Sequence, residues 1–157
     1  MSKSIGNTVE PNLLVNQFGV DAIRYFLLRE VPFGLDGDFS HKALIGRINS
    51  DLANNLGNLL NRTMSMIKRY HDQVIPEPAS RDEDADLKNE FQRGIDAVKK
   101  LYSDLAYNKI LERIWLLVDA TNKYIDTNSP WNLIKTESGK QRLTTVMYNT
   151  AECIRSI

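Results

Sequence analysis

The apolar residues of this chain recur at steps of three and four over most of its length, which is the spacing of one face of an α-helix. The clearest stripe lies in a helix predicted from about residue 41 to residue 71 and contains Ile45, Ile48, Leu52, Leu56, Leu59, Thr63 and Met66. Similar spacing predicts helices over about 86–105 and 107–126, and a last helix from about residue 140. No segment alternates as a half-buried strand does. The pattern therefore predicts an all-α fold, an antiparallel helical bundle.

The first 40 residues have a different pattern and predict a short irregular lead-in. They contain four of the eight glycines and two of the five prolines. Pro11 suits the first turn of a short helix that Gly19 ends, and Ser40 suits the N-cap of the long helix. We therefore divide the chain into a lead-in, residues 1–40, and a helical bundle, residues 41–157.

Composition narrows the classes of protein that the chain can represent. Of the 157 residues, 42% are hydrophobic and 25% charged, which suits one folded domain and is too apolar for intrinsic disorder. No apolar run reaches the roughly 18 residues of a membrane span, and no signal-peptide core is present. The 20 basic and 20 acidic residues argue against a general polyanion binder but allow a local basic stripe. We expect a cytoplasmic protein with no membrane contact.

The usual catalytic and metal-binding patterns are missing. Cys153 is the only cysteine, which excludes an intramolecular disulfide and a multi-cysteine zinc site and fits a reducing compartment. His41 and His71 lack metal-ligand spacing, and no Ser-His-Asp set, Walker motif or dinucleotide motif occurs. We therefore expect no metal and no complete active site in this chain.

The long predicted helix carries an unusual row of polar residues. Its middle contains Asn54, Asn55, Gly57, Asn58 and Asn61. Together these residues give away on the order of 3 kcal/mol of helix propensity relative to alanine. Four side chains fall within about 80° on a helix, away from the leucines, namely Asp51, Asn54, Asn58 and Arg62. The row offers amides and a guanidinium to a nucleic-acid base; alternatively, its amides link neighbouring helices or face water.

The two tryptophans occupy different contexts. Trp115 lies within an apolar helical pattern and is predicted to be core. Trp131 follows Ser129 and Pro130, which suit the cap and the first position of a new helix. An aromatic side chain presented there can stack on an unpaired base, a contact of roughly 1–3 kcal/mol, or plug the end of the bundle.

The N-terminus offers a third candidate. Ser2, Lys3 and Ser4 are followed by Gly6 and Asn7, and loops of this composition can approach phosphates, with lysine supplying the charge. An unstructured terminus has the same composition, so both interpretations stay open.

Five segments occur here in the order in which one enzyme family has them. Residues 1–7 resemble the end of the KMSKS signature of class I aminoacyl-tRNA synthetases, whose first lysine would precede Met1. Residues 18–27 resemble the following helix, and 36–40 the entry to the helical domain. The Asn-rich residues 49–62 and the Asn-Ser-Pro-Trp sequence ending at Trp131 resemble the methionyl-tRNA synthetase family in particular.

The resemblance implies a fold, an activity and roles for the first residues. It implies an α-helical anticodon-binding domain, joined through a stem-contact segment, residues 1–40 here, to a catalytic Rossmann domain. Such enzymes activate methionine with ATP and esterify tRNA(Met), which carries the CAU anticodon. On this basis Lys3 is catalytic and stabilises the triphosphate of ATP, and Ser2 and Ser4 shape the mobile ATP loop.

The same resemblance implies an anticodon site on the bundle. Trp131 would stack on an unstacked anticodon base. The residues expected to read base edges are Asn54, Asn58 and Arg62. At one position where relatives place a reading Asn, this chain aligns Asp51, so Asn49 and Asn54 are the alternative readers.

Several parts of such an enzyme are missing from the chain. The HIGH signature, the methionine pocket and any zinc-bearing insertion would lie upstream, so we expect this chain alone to be inactive and the parent to use ATP with magnesium. The last helix reaches Ile157 with no terminating signal, so we expect truncation there. Two alternatives remain: a helical protein–protein interaction module, or the same part of a leucyl-, valyl- or cysteinyl-tRNA synthetase.

Overall fold

Eight α-helices and one π-helical segment make up the regular structure of the described part of the chain, which contains no strand. The computed structural model describes residues 9–37, 39–80 and 84–157. In chain order the elements are α1 (Pro11–Phe18), α2 (Val20–Glu30), α3 (His41–Arg47), the π segment (Ile48–Gly57), α4 (Asn58–Tyr70), α5 (Ala85–Ser103), α6 (Tyr107–Asn128), α7 (Pro130–Leu133) and α8 (Glu137–Ser156). The prediction of an all-α fold is confirmed.

Local sequence signals set the ends of the first helices. Pro11 occupies the first turn of α1, where its missing N–H is not needed, and Gly19 follows that helix at a φ of 84°. Ser40 caps α3, because its Oγ accepts a hydrogen bond from the Ala43 N–H at 3.0 Å. These three predictions are confirmed.

The lead-in packs against the bundle through a small apolar cluster. Leu14 of α1 and Ile23 and Phe26 of α2 are buried together with Leu44 of α3. The helix α2 also packs along α6, where Arg29 forms an ion pair with Glu112 at 3.0 Å. The orientation of α2 is therefore fixed by contacts with both α3 and α6.

A π segment interrupts the long helix that the sequence predicted. Here α3, the π segment and α4 follow one another without a break, and the π segment has hydrogen bonds that span five residues instead of four. The predicted stripe holds at Leu59 and Thr63, which are buried, but it is wrong at Ile45, which is 44% exposed. Leu44 is buried instead. Because the π geometry changes the number of residues per turn, the positions that face the core shift between the two ends of the long helix.

The core of the bundle lies between α4, α5, α6 and α8. Helix α5 packs on α6, α6 on α8, and α8 on α4. The buried apolar side chains are Leu59, Ile67, Phe91, Ile110, Leu117, Val118, Ile125, Leu143, Val146, Met147 and Cys153. Helices α5 and α6 approach closely at Gly94, where a Cβ would lie 2.8 Å from the Leu117 Cδ1 atom.

Two side-chain contacts show the direction and register of α6 relative to the long helix formed by α3, the π segment and α4. The Asn55 Nδ2 donates to the Asp119 Oδ1 at 2.8 Å, and the Arg62 Nη2 donates to the Asp126 Oδ1 at 2.7 Å. Both pairs are separated by 64 residues, so the two helices run parallel and in constant register. The C-terminal end of α6 therefore lies beside α4.

A polar cluster fixes the start of α5 to α6 and α8. The Asp84 carboxylate accepts hydrogen bonds from Arg142 Nη2 at 2.6 Å, Tyr124 Oη at 2.7 Å and Asn149 Nδ2 at 2.9 Å. Burial favours the neutral acid, but these donors and the Arg142 charge hold the pKa of Asp84 below its ordinary value. No sequence pattern predicted this cluster.

None of the helices in the described part of the chain combines the length and the apolar character that a membrane crossing requires.

Candidate nucleic-acid interface

Trp131 lies on a short helix that is anchored at both ends. Pro130 is buried at the first position of α7, as predicted, and the Trp131 side chain is 44% exposed. At the other end of α7, Leu133 and Ile134 pack against the buried cluster of Ile67, Leu143, Val146 and Met147. The indole is therefore presented to solvent from a fixed position.

Ser129 makes the turn into this helix in a way that differs from the prediction. Its φ of 45° is in the left-handed region, and its N–H bonds the Ile125 carbonyl at 2.9 Å. Its Oγ donates to the Asp126 carbonyl at 3.0 Å and makes no cap for α7. The prediction of a Ser129 side-chain cap is therefore wrong, because the hydroxyl closes the end of α6 instead.

The polar row of the long helix divides into linking and open residues. Asn55 is linked to α6, because it donates to Asp119 and accepts from the Asn122 Nδ2 at 2.8 Å. Asn54 and Asn58 are exposed, and neither side chain forms a hydrogen bond with a residue that the structure describes. Asn55 therefore links neighbouring helices, whereas Asn54 and Asn58 face solvent, where base reading by their amides stays a prediction.

Arg62 lies one helical turn beyond Asn58 and forms an ion pair with Asp126. The Arg62 side chain is 31% exposed and that of Asp126 is 61% exposed. Water screens a pair this accessible, so its two members can separate at low cost when a ligand offers other partners. Since Asp126 lies five residues before Trp131, Arg62 and the indole belong to the same end of the bundle.

Asp51 turns away from this end and joins a polar cluster with α2 and α6. The Tyr25 Oη donates to the Asp51 Oδ2 at 2.6 Å, and the Trp115 Nε1 donates to the Tyr25 Oη at 2.5 Å. Ser50 and Arg47 also donate to the Asp51 carboxylate, at 2.7 Å and 3.4 Å. With its side chain 15% exposed, Asp51 does not share a surface with Asn54 and Asn58. The predicted single row is therefore wrong at Asp51, since it assumed α-helical geometry through the π segment.

The contact between Asp51 and Tyr25 lowers the pKa of the carboxylic acid and raises the pKa of the hydroxyl. Burial favours the neutral acid, but the hydrogen bonds from Tyr25 and Ser50 and the Arg47 charge bring the pKa of Asp51 below its ordinary value. Burial and the adjacent Asp51 carboxylate raise the pKa of the Tyr25 hydroxyl. At neutral pH the pair is therefore a charged acceptor with a neutral donor.

Trp115 is partly buried and lies edge-on to the Tyr25 ring, with the centroids 5.9 Å apart. The core position predicted for it holds only in part, because its N–H serves the polar cluster. Tyr25 itself was missed by sequence analysis, since a tyrosine among apolar residues of a short helix has no distinguishing pattern. The same is true of Asp126, because its partner lies 64 residues away.

The predicted residues of the ATP loop, Ser2, Lys3 and Ser4, lie outside the described residues. Among the residues that are described, no group of three or more His, Cys, Asp and Glu side chains could hold a metal ion. The groups that Asn54, Asn58, Arg62 and Trp131 offer to a ligand are amides, a guanidinium and an exposed indole.

Comparison with known proteins places this arrangement among the tRNA synthetases. The family model "tRNA synthetases class I (M)" matches residues 1–64. The methionine–tRNA ligase of Caldanaerobacter subterraneus subsp. tengcongensis is 57% identical over 158 residues, which is 100% of this chain and 25% of that protein. The ligase of Clostridium tetani is 46% identical over the same shares. The chain spans about a quarter of the length of these curated relatives.

A solved structure has the same fold. Mycobacterium tuberculosis methionyl-tRNA synthetase in complex with methionyl-adenylate superimposes with a TM-score of 0.92 at 43% identity. The match covers 99% of this chain and 31% of that one. The helical arrangement described above is therefore shared with part of a methionyl-tRNA synthetase.

Proposed function

The chain belongs to the methionyl-tRNA synthetase family of class I, and on that premise we propose that the Trp131 end of the bundle binds the CAU anticodon of tRNA(Met). In the complete ligase this contact would select the tRNA that is esterified with methionine after activation by ATP. Lys3 would stabilise the triphosphate of ATP, Ser2 and Ser4 would shape the loop around it, and the complete ligase would use ATP with magnesium. The methionine pocket and any zinc site would belong to other parts of the ligase.

The observation that carries the proposal is the placement of Trp131. A half-exposed indole on an anchored helix offers a flat apolar face without the entropy cost of ordering a mobile loop. Proteins that recognise single-stranded RNA stack splayed-out bases on such faces and read their edges with nearby polar groups. An anticodon loop supplies unpaired bases in this form.

Asn58 and Arg62 supply the groups for reading base edges. Asn58 carries both a donor and an acceptor, and its side chain has no bond to any described residue that a base would have to displace. Arg62 can exchange the exposed carboxylate of Asp126 for a base edge. Asn54 lies in the π segment, further from Trp131, and serves as an additional contact in this proposal.

The experiment that tests the proposal is equilibrium binding of the chain to two anticodon hairpins, one with CAU and one with the same bases permuted, each at two salt concentrations. We expect a preference for CAU in both conditions and weaker binding at higher salt, because phosphate contacts release counterions. Equal binding to both hairpins, or no binding to either, would contradict the proposal. Binding to neither hairpin would favour the alternative in which the bundle binds a protein partner.

A matched pair of variants locates the contact. Trp131→Ala should weaken binding of the CAU hairpin by about 1–3 kcal/mol, the range of a base–aromatic stack. Tyr102→Ala removes another exposed aromatic side chain, at the end of α5, and should leave the affinity unchanged. An equal loss in both variants would mean that Trp131 has no special role.

A further inference from the structure

The charge of α4 is one-sided. This helix carries Arg62, Lys68 and Arg69 and no acidic residue, whereas the chain as a whole balances its charges. Arg69 and Lys68 lie in the last turn of α4 and are exposed. A local excess of positive charge of this kind is what an RNA backbone requires of a protein that is neutral overall.

Arg69 continues the row that starts at Asn58 and Arg62. Residues 58, 62, 65 and 69 are spaced by 4, 3 and 4 in regular α-helix, which places them within about 60° of one another. The buried residues Leu59 and Thr63 lie on other sides of the helix. The row is thus one surface that begins with an amide and ends with a guanidinium.

This surface extends beyond the level at which α6 ends and α7, the helix of Trp131, begins. Arg62 is level with Asp126, since the two side chains are in contact, and α6 ends only two residues later, at Asn128. Arg69 lies seven residues beyond Arg62, about 10 Å further along the axis. Leu133 of α7, the helix of Trp131, packs against the buried cluster that contains Ile67 of α4 and Leu143, Val146 and Met147 of α8.

The guanidinium of Arg69 is open, unlike that of Arg62. Neither Arg69 nor Lys68 forms an ion pair with a carboxylate in the described part of the chain, and this includes the neighbouring Asp72. The Arg69 Cζ lies 5.7 Å from the centroid of the Tyr70 ring, a contact that leaves its N–H groups available. A planar guanidinium with free N–H groups binds a phosphate through two parallel hydrogen bonds.

We propose that Arg69, with Ser65 one turn before it, binds a phosphate of the RNA strand whose base stacks on Trp131. This inference rests on the proposed function and adds to it a sequence-independent contact. Asn58 and Arg62 would discriminate between bases, whereas Arg69 would hold the strand in place for any sequence. A purely structural alternative is that Arg69 only complements the negative end of the α4 dipole.

The test compares Arg69→Gln with Lys68→Gln in the hairpin titrations. Both variants remove one positive charge from the same helical turn, but Lys68 lies roughly 100° around the helix from Arg69. Arg69→Gln should weaken binding of the CAU and permuted hairpins by the same factor, about three- to tenfold, and should reduce the slope of log affinity against log salt by about 0.7. Lys68→Gln should change both quantities by less, and Arg69→Lys should restore the slope without the full affinity.

The outcomes separate this inference from the proposed function. If the unmodified chain prefers CAU and Trp131→Ala removes the preference, but Arg69→Gln matches Lys68→Gln, the phosphate site is wrong and the anticodon site stands. If no preference for CAU exists but Arg69→Gln alone lowers the salt slope, the phosphate site stands. If the unmodified chain binds neither hairpin, both are overturned. Thermal unfolding of Arg69→Gln gives the contribution of the helix dipole separately.

Discussion

The polar region around Asp51 and the one near Trp131 differ in how many of their hydrogen-bonding groups have a partner in the protein. Around Asp51, the carboxylate, the Tyr25 hydroxyl and the Trp115 N–H form a continuous hydrogen-bonded cluster that links three helices. Around Trp131, the amide of Asn58 makes no bond to a described residue, and the indole faces solvent. Polar side chains thus link helices where they have hydrogen-bond partners in the protein. Where they lack such partners, they remain available to a ligand.

The difference has a geometric origin in the π segment. It directs Asp51 towards α2 and Asn55 towards α6, and it leaves Asn54 on the surface. After Gly57 the helix is regular again, so Asn58 and Arg62 keep the spacing of a binding surface. The comparison predicts that substitutions in the first region change the stability of the protein, and that substitutions in the second change binding.

The largest effect is expected for Asp51→Ala. Removing the carboxylate leaves the Tyr25 hydroxyl without an acceptor in a largely buried place and takes one of two carboxylate partners from Arg47, which keeps Glu30, so the free energy of unfolding should fall by about 2–3 kcal/mol. Asn58→Ala is the matched control and should change it by less than about 0.5 kcal/mol. Urea unfolding followed by circular dichroism measures both. Equal losses would mean that the two regions do not differ as described.

The two tryptophans provide the next test. Trp115→Phe keeps a ring in place but removes the N–H donor to Tyr25, and should lower the free energy of unfolding by about 1–2 kcal/mol. Its affinity for the CAU hairpin should stay within twofold of the original. Trp131→Ala should show the reverse, with lower affinity and little change in stability. A loss of RNA binding in Trp115→Phe at unchanged stability would mean that the interface lies near Trp115 and would contradict the interface proposed at Trp131.

A smaller effect is expected in the pH dependence of stability. Because the pKa of Asp51 is lower in the folded protein than its ordinary value of 3.8, its charged form stabilises the fold. That contribution is complete above the ordinary pKa and is lost as the pH falls towards the folded pKa. Asp51→Asn lacks it, so its stability should fall less steeply than that of the original chain between about pH 5 and pH 3. Parallel curves would exclude Asp51 as a contributor.

The sequence was sufficient for features that depend on neighbouring residues. Pro11, Gly19 and Ser40 act within one helical turn, so the ends of the first helices were predicted correctly. The regular stripe after the π segment was correct for the same reason at Leu59 and Thr63. The start at Pro130 of α7, the helix that carries Trp131, was also predicted correctly from local sequence.

Features that depend on distant partners could not be predicted in the same way. The direction of Asp51 depends on Tyr25, and that of Arg62 on Asp126, and neither pairing follows from spacing along one helix. The π segment was hidden because steps of three and four assume hydrogen bonds that span four residues. One local signal was present: Gly57, where a Cβ would lie 2.9 Å from the Leu52 carbonyl oxygen, marks the end of the segment.

The smallest effect on stability is expected for Asp126→Asn, at the boundary between the two regions. The Arg62–Asp126 ion pair links α4 to α6, because its atoms are 2.7 Å apart. It also belongs to the open surface, because both side chains are accessible to solvent. Because exposed ion pairs contribute about 0–1 kcal/mol, the variant should unfold almost as the original chain does. Its affinity for both hairpins should rise by about two- to threefold, because Arg62 is released and a negative charge facing the RNA is removed.

Asp119→Asn is the control for this change, since it removes the same charge but from a carboxylate whose partner is the neutral Asn55. It should raise the affinity by less, because no guanidinium is released. If Asp126→Asn instead weakened binding of the CAU hairpin and spared the permuted one, the carboxylate would be holding Arg62 in the orientation that reads a base. The Arg62–Asp126 ion pair would then stay intact when the RNA binds. It would both link α4 to α6 and form part of the recognition surface.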